Sequence, residues 1–187
     1  MMVGMADLIV VTGPPGAGKT SVAKALSSLF QSSALVAGDE FFGFIDRSFV
    51  PPWTTEAHRQ NEIVTEAAAA AAGRLAAGGY TVVYDGVLGP WFLDAFGEAT
   101  GLATLHYVML LPPEVECVER VQSRVGHGFT DLDAARHMYG EFAAAIIDRR
   151  HVVTSTDAPA VIASSLIEPV GDGTFLWTVD EQSGCLS

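Results

Sequence analysis

Apolar residues in this chain gather into short β-rich runs, and the stretches between those runs repeat at helical spacing. The run Leu8–Thr12 predicts a first strand, with further strands over 34–37, 81–84, 105–111 and 152–154. Val22, Ala25, Leu26 and Leu29 mark one face of a helix over 19–30. A long helix is expected over 55–77, stopped by Gly78 and Gly79, and its alanine-rich part, 66–77, suits close packing on a sheet. A short helix over 90–99 is closed by Gly101, and one over 113–124 carries proline in its first turn. Another is expected over 131–148, where Thr130 with Asp133 has the spacing of a capping box. A last helix covers 159–167, and 175–179 is a candidate edge strand.

Strands alternating with helices imply an α/β domain with a parallel sheet covered on both faces. Ligands of such sheets gather at the carboxyl ends of the strands. Those ends carry Gly13, Asp39, Asp85 and Pro112, and the loop after the fifth strand holds 155–158.

The chemistry enters directly after the first strand. Gly13, Pro14, Pro15, Gly16, Ala17, Gly18, Lys19 and Thr20 match the phosphate-binding pattern G-x-x-x-x-G-K-[ST] in full, between a strand and a helix as the pattern requires. The glycines let backbone N–H groups approach phosphates, and the following helix, with Ser21 in its first turn, points its positive end at the anion. Lys19 is suited to the β- and γ-phosphates, and the Thr20 hydroxyl to Mg²⁺. The bound species is a Mg-nucleoside triphosphate, read as ATP.

Composition narrows the class. The chain has 187 residues, 49% hydrophobic and 17% charged, which fits one folded domain over 1–187. The apolar start is read as a buried strand and not as a signal peptide, and no apolar run is long enough to cross a bilayer. The net charge is −12, and Lys19 and Lys24 are the only lysines. No basic stripe is available to displace counterions from a duplex, so a nucleic-acid partner is not expected. A guanine-reading [NT]-K-x-D element has no lysine to build it, and large oligomeric ATPases need more chain. Cys117 and Cys185 form neither a disulfide framework nor a metal pair, so a reducing cytoplasm is the expected setting. His58, His127, His137 and His151 have no metal-binding spacing.

With the glycine loop in place, the chain resembles the small P-loop kinases grouped with shikimate kinase, gluconate kinase and chloramphenicol phosphotransferase. It is similar as well to zeta-toxin-like and AAA-type ATP-binding proteins of this size. The resemblance covers residues 8–167 and implies a P-loop NTPase three-layer sandwich, with a five-stranded parallel core sheet in the order 2-3-1-4-5 and a helical lid at 124–131. It implies that an acid after strand two accepts the proton of a substrate hydroxyl. Asp39 stands there, although a helix N-cap is the other reading of that residue. Asp85 would hold a Mg²⁺-bound water or a substrate hydroxyl, or be a turn residue before Gly86. Arg120 would lie on the adenine and Arg124 would cover the transferring phosphate. Their i, i+4 spacing puts both on one helix face, where a solvated pairing with Glu116 or Glu119 is the alternative.

The acceptor region is expected over 40–62. Its aromatic residues, with Trp91 and Phe92, suit either a small packed subdomain or an aromatic pocket wall. Asp39, Phe42, Arg47 and Asp85 are its candidate substrate contacts. Cations are sparse there, which favours a neutral hydroxyl compound over a phosphate- or acid-bearing one. The function expected is transfer of the ATP γ-phosphate to a small-molecule hydroxyl. A nucleic-acid-end or nucleotide-sugar kinase and a non-catalytic ATP-binding module are the alternatives.

Overall fold

The computed structural model describes residues 7–123 and 131–179. Arg124, His127, Thr130 and most of the expected lid lie outside the described residues, as does Cys185. Five parallel strands run in the order β2 (Ser33–Ala37), β3 (Thr81–Asp85), β1 (Leu8–Thr12), β4 (Thr104–Leu110) and β5 (Val152–Val153). The expected edge strand is β6 (Leu176–Thr178), which pairs antiparallel with Thr104–His106 at the start of β4, while β5 pairs with Met109 and Leu110 at its end. The two short strands thus share one edge of β4.

The described residues form α-helices α1 (Lys19–Ser27), α2 (His58–Ala77), α3 (Leu93–Thr100), α4 (Glu114–Ser123), α5 (Leu132–Ala144) and α6 (Pro159–Gly171). Alternation along β1 divides the core. Leu8 and Val10 join the alanines of α2 and Leu93 and Phe96 of α3 on one face. Ile9 and Val11 join Val22 and Leu26 of α1 and Ile162 and Leu166 of α6 on the other. Every residue of β1 is buried, and each large apolar side chain of that kind contributes about 1.5–3 kcal/mol by leaving water.

Several element ends differ from the sequence reading. The chain enters α2 through a 3₁₀ turn, Thr55–Ala57, and α3 through another, Pro90–Phe92. The helix expected over 131–148 ends at Ala144, because Ala145 turns extended and Asp148 starts a 3₁₀ turn by accepting from the Arg150 N–H. The cap of α5 is Asp131, whose carboxylate accepts from the N–H groups of Asp133 and Ala134 at 3.0 Å; no Glu or Gln is needed three residues on. The final helix runs past its expected end, through Pro169 to Gly171. A 3₁₀ helix over Gly38–Phe44 had no counterpart in the reading.

Close packing of α2 on α3 depends on Gly73. A Cβ there would lie 1.9 Å from the Thr100 carbonyl oxygen, a backbone atom that cannot move aside alone. Gly73→Ala gains helix propensity of about 1 kcal/mol, yet overpacking of this kind costs about 1–3 kcal/mol. A net fall in melting temperature is expected, about 2–4 °C for each kcal/mol lost. Thermal unfolding followed by circular dichroism checks it, and an unchanged or raised midpoint would mean that the helix pair yields.

Candidate active site

The glycine loop leaves the end of β1 in the middle of the sheet. Gly13 has φ 142°, and a Cβ on it would lie 2.2 Å from the Leu110 carbonyl oxygen of β4. Gly16 has φ 83°, and a Cβ there would lie 2.1 Å from the Cys117 carbonyl oxygen of α4. The loop is squeezed between the two, which only residues without side chains permit. Ala17 closes a turn onto the Pro14 carbonyl at 3.1 Å. Helix α1 then begins at Lys19 with Gly18 as its cap, no side-chain capping bond and no acid in its first turn. Its leading N–H groups are left to an incoming anion, and the helix dipole favours one. Lys19 is buried and donates to the Pro14 carbonyl at 3.2 Å. Thr20 and Ser21 are exposed.

Asp85 closes β3, in register with Val11 of β1 and Ala37 of β2. It is 6% exposed, and its Oδ1 has no hydrogen-bond partner. Burial raises its carboxyl above the usual range, against hydrogen bonding from Thr20 and the charge of Lys19, which lower it; the nearby Asp39 charge raises it further. Asp85 and Thr20 are therefore neighbours beneath the loop.

Asp39 sits in the 3₁₀ helix after β2, exposed. It is not the cap of that helix, because the cap position is Ala37 and no side chain fills it. Its Oδ1 instead accepts from the Val87 N–H at 3.1 Å, tying the loop after β2 to the loop after β3. The second loop is also held from β1 and β4. The Thr12 hydroxyl donates to the Leu88 carbonyl at 2.9 Å and accepts from the Leu88 N–H at 2.8 Å, and the Tyr107 hydroxyl donates to the same carbonyl at 2.8 Å.

Arg120 reaches back from α4 to the glycine loop. One nitrogen approaches the Gly16 carbonyl at 3.4 Å and another pairs with Glu116 at 2.7 Å. Of the two acids expected as partners, Glu116 is the one engaged. Arg47 is not drawn to this group: its side chain is 92% exposed and lies 3.8 Å from Asp46. Phe42 is half-buried, and Phe41 meets Phe44 edge-on. Phe41 and Phe92 pack against the core while Phe44, Phe49, Trp53 and Trp91 keep large exposed faces, so the aromatic set is divided between core and surface. The segment that carries Phe49 and Trp53 is fixed to α2: Gln60 bonds both the N–H and the carbonyl of Val50, and Asn61 donates to the Pro52 carbonyl.

Sequence reading missed Thr12, Tyr84 and Tyr107. Thr12 ends an otherwise apolar run, and a hydroxyl at a buried strand end was the available signal. For Tyr84 and Tyr107 the strand pattern gave burial but not the direction of the hydroxyl.

The AAA domain family matches residues 9–153, and no curated protein sequence matches the chain. Among solved structures, the tunicamycin resistance protein of Deinococcus radiodurans is similar at a TM-score of 0.66 and 16% identity, covering 88% of this chain and 95% of that one. The Mycobacterium tuberculosis APS kinase in complex with AMPPNP and APS has a TM-score of 0.66 and 16% identity, covering 88% and 97%. A gluconokinase from Sinorhizobium meliloti 1021 has a TM-score of 0.60 and 22% identity, covering 90% and 93%. The chain belongs to the AAA domain family and has the fold of the small P-loop kinases.

Proposed function

We propose that this chain is an ATP-dependent kinase that transfers the γ-phosphoryl group to a hydroxyl of a small molecule. The observation that carries the reading is one cluster at the carboxyl edge of the sheet. It joins the glycine loop with Lys19 to the Thr20–Asp85 pair on one side and to exposed Asp39 on the other.

Residues 13–21 would bind the triphosphate through the N–H groups of the loop and the first turn of α1, with Lys19 as the point charge on the β- and γ-oxygens. Arg120, already over the loop, would lie on the nucleotide, and Arg124 would meet the transferring phosphate from the lid at 124–131. Mg²⁺ fits the residues present. Thr20 offers a hydroxyl, and Asp85 offers a buried carboxylate oxygen without a partner. A Mg²⁺ ion needs few protein ligands when phosphates and water supply the rest. When bound, the ion would neutralise charge on the β- and γ-oxygens. Asp39 would orient the acceptor hydroxyl and take its proton late in the transfer, through the carboxylate oxygen that Val87 does not hold.

The acceptor would lie over 40–62 and the loop after β3, with Phe42 and the exposed aromatic faces beside it. An uncharged acceptor fits best, because Arg47 and Arg59 there are paired with Asp46 and Glu62. A net charge of −12 weighs against a nucleic-acid end. No described helix is long and apolar enough to cross a membrane, and a reducing cytoplasm suits Cys117, a buried free thiol.

Asp39→Asn keeps the tie to Val87 but cannot take a proton. It is expected to bind a fluorescent ATP analogue as the wild type does, while ADP release from Mg-ATP falls about 10²–10⁴-fold. Full turnover in this variant would reduce Asp39 to a loop tie. For Asp85→Asn, the Mg²⁺ concentration giving half-maximal turnover is expected to rise about 10–100-fold. An unchanged Mg²⁺ requirement would separate Asp85 from the metal.

A further inference from the structure

Beneath Asp39 lies a hydroxyl that this scheme does not use. Tyr84 is 3% exposed, with its ring fixed edge-on against Phe96 at 4.8 Å. Its oxygen comes up between the two loops that frame the acceptor side. A Cβ on Gly38 would lie 2.0 Å from that oxygen, and one on Gly86 would lie 2.9 Å from it. The residues that follow these glycines are Asp39 and Val87, the two partners of the loop tie. The phenol therefore ends directly under the tie, and the backbone on both sides has given up its side chains to admit it.

The neighbouring hydroxyls are committed, since those of Thr12 and Tyr107 both donate to the Leu88 carbonyl. Val87 holds one oxygen of Asp39 and the Tyr84 hydroxyl takes part in none of these bonds. Phenylalanine would fill the same space against Phe96 and the alanines of α2, so packing alone does not call for the hydroxyl.

We propose that the Tyr84 hydroxyl is the positioning donor of the acceptor site, aimed at the reacting pair formed by the Asp39 carboxylate and the acceptor hydroxyl. Tyr84 touches no phosphate and takes no proton. The two groups are neighbours and are not hydrogen-bonded to each other in the structure; in the reacting complex the Tyr84 O–H would donate to the oxygen of Asp39 that Val87 leaves open, fixing the carboxylate's rotation and leaving its outward lone pair for the acceptor proton. The inference rests on the kinase reading and on Asp39 as the base.

The test uses the full chain with Mg-ATP, water serving as acceptor, and follows ADP release together with binding of a fluorescent ATP analogue. Tyr84→Phe keeps the ring, so it should fold with an unchanged melting temperature and bind the analogue as the wild type does. Its turnover should fall about 10- to 100-fold, the loss that goes with one hydrogen bond to a charged group. In the Asp39→Asn background the same change should have no further effect, because the two residues act as one unit. A purely structural tyrosine would give additive losses or a lowered melting temperature instead. Wild-type turnover in Tyr84→Phe, with Asp39→Asn impaired, overturns this inference and leaves the kinase reading standing. Binding without turnover in the wild type, or full turnover in Asp39→Asn, removes the kinase reading or its base, and the inference with it.

Discussion

At Gly13 and Gly16 the backbone runs through a gap that leaves no room for a side chain: the β4 carbonyl of Leu110 crowds the first and the α4 carbonyl of Cys117 the second. The gap exists because β1 is buried on both faces and must end in the centre of the sheet, between β3 and β4. A chain leaving such a place has one way out, upward over the carboxyl edge, and it must turn at once into α1 to cover Val22 and Leu26. Glycine meets the turn, and the turn leads into a helix start with no side-chain cap, whose first N–H groups are left open. The anion site follows from how the central strand is packed.

The second half of the site depends on the same strand by another route. Thr12, the last residue of β1, exchanges two hydrogen bonds with Leu88 and so carries the loop after β3 to the edge of the glycine loop. Tyr107 of β4 adds a third bond to Leu88. Asp39 then joins the loop after β2 to this frame through Val87. The glycine loop and the loops after β2 and β3 are in this way held to one element, which suits the proposed transfer, whose catalysis consists mostly of positioning.

Much of this was legible in the sequence. Buried parallel strands read as continuous apolar runs, so β1, β3 and β4 stood out, and the glycine-loop pattern fixed where the first helix starts. The strand order came with the family resemblance and not from periodicity. Helix ends were harder, because they are decided by single residues: Asp131 and not Thr130 caps α5, and Asp148 begins a 3₁₀ turn where helical spacing continued. The segment Gly38–Phe44 carries an acid and aromatic residues that stand out in the sequence, yet the bond from Asp39 to Val87 joins residues 48 positions apart. Contacts over such separations leave no local trace. The same holds for Asp85, whose burial and missing partner arise from strand register.

The central claim is that the loop binds Mg-ATP through Lys19, and the most direct measurement is the melting temperature with and without that ligand. A ligand at about 100 times its dissociation constant stabilises the folded state by about 2.7 kcal/mol, or roughly 5–10 °C for a chain of this length. The account predicts a rise of that size for the wild type with Mg-ATP, its loss on adding EDTA, and no rise for Lys19→Ala. An equal rise in Lys19→Ala, or no rise in the wild type, would contradict it.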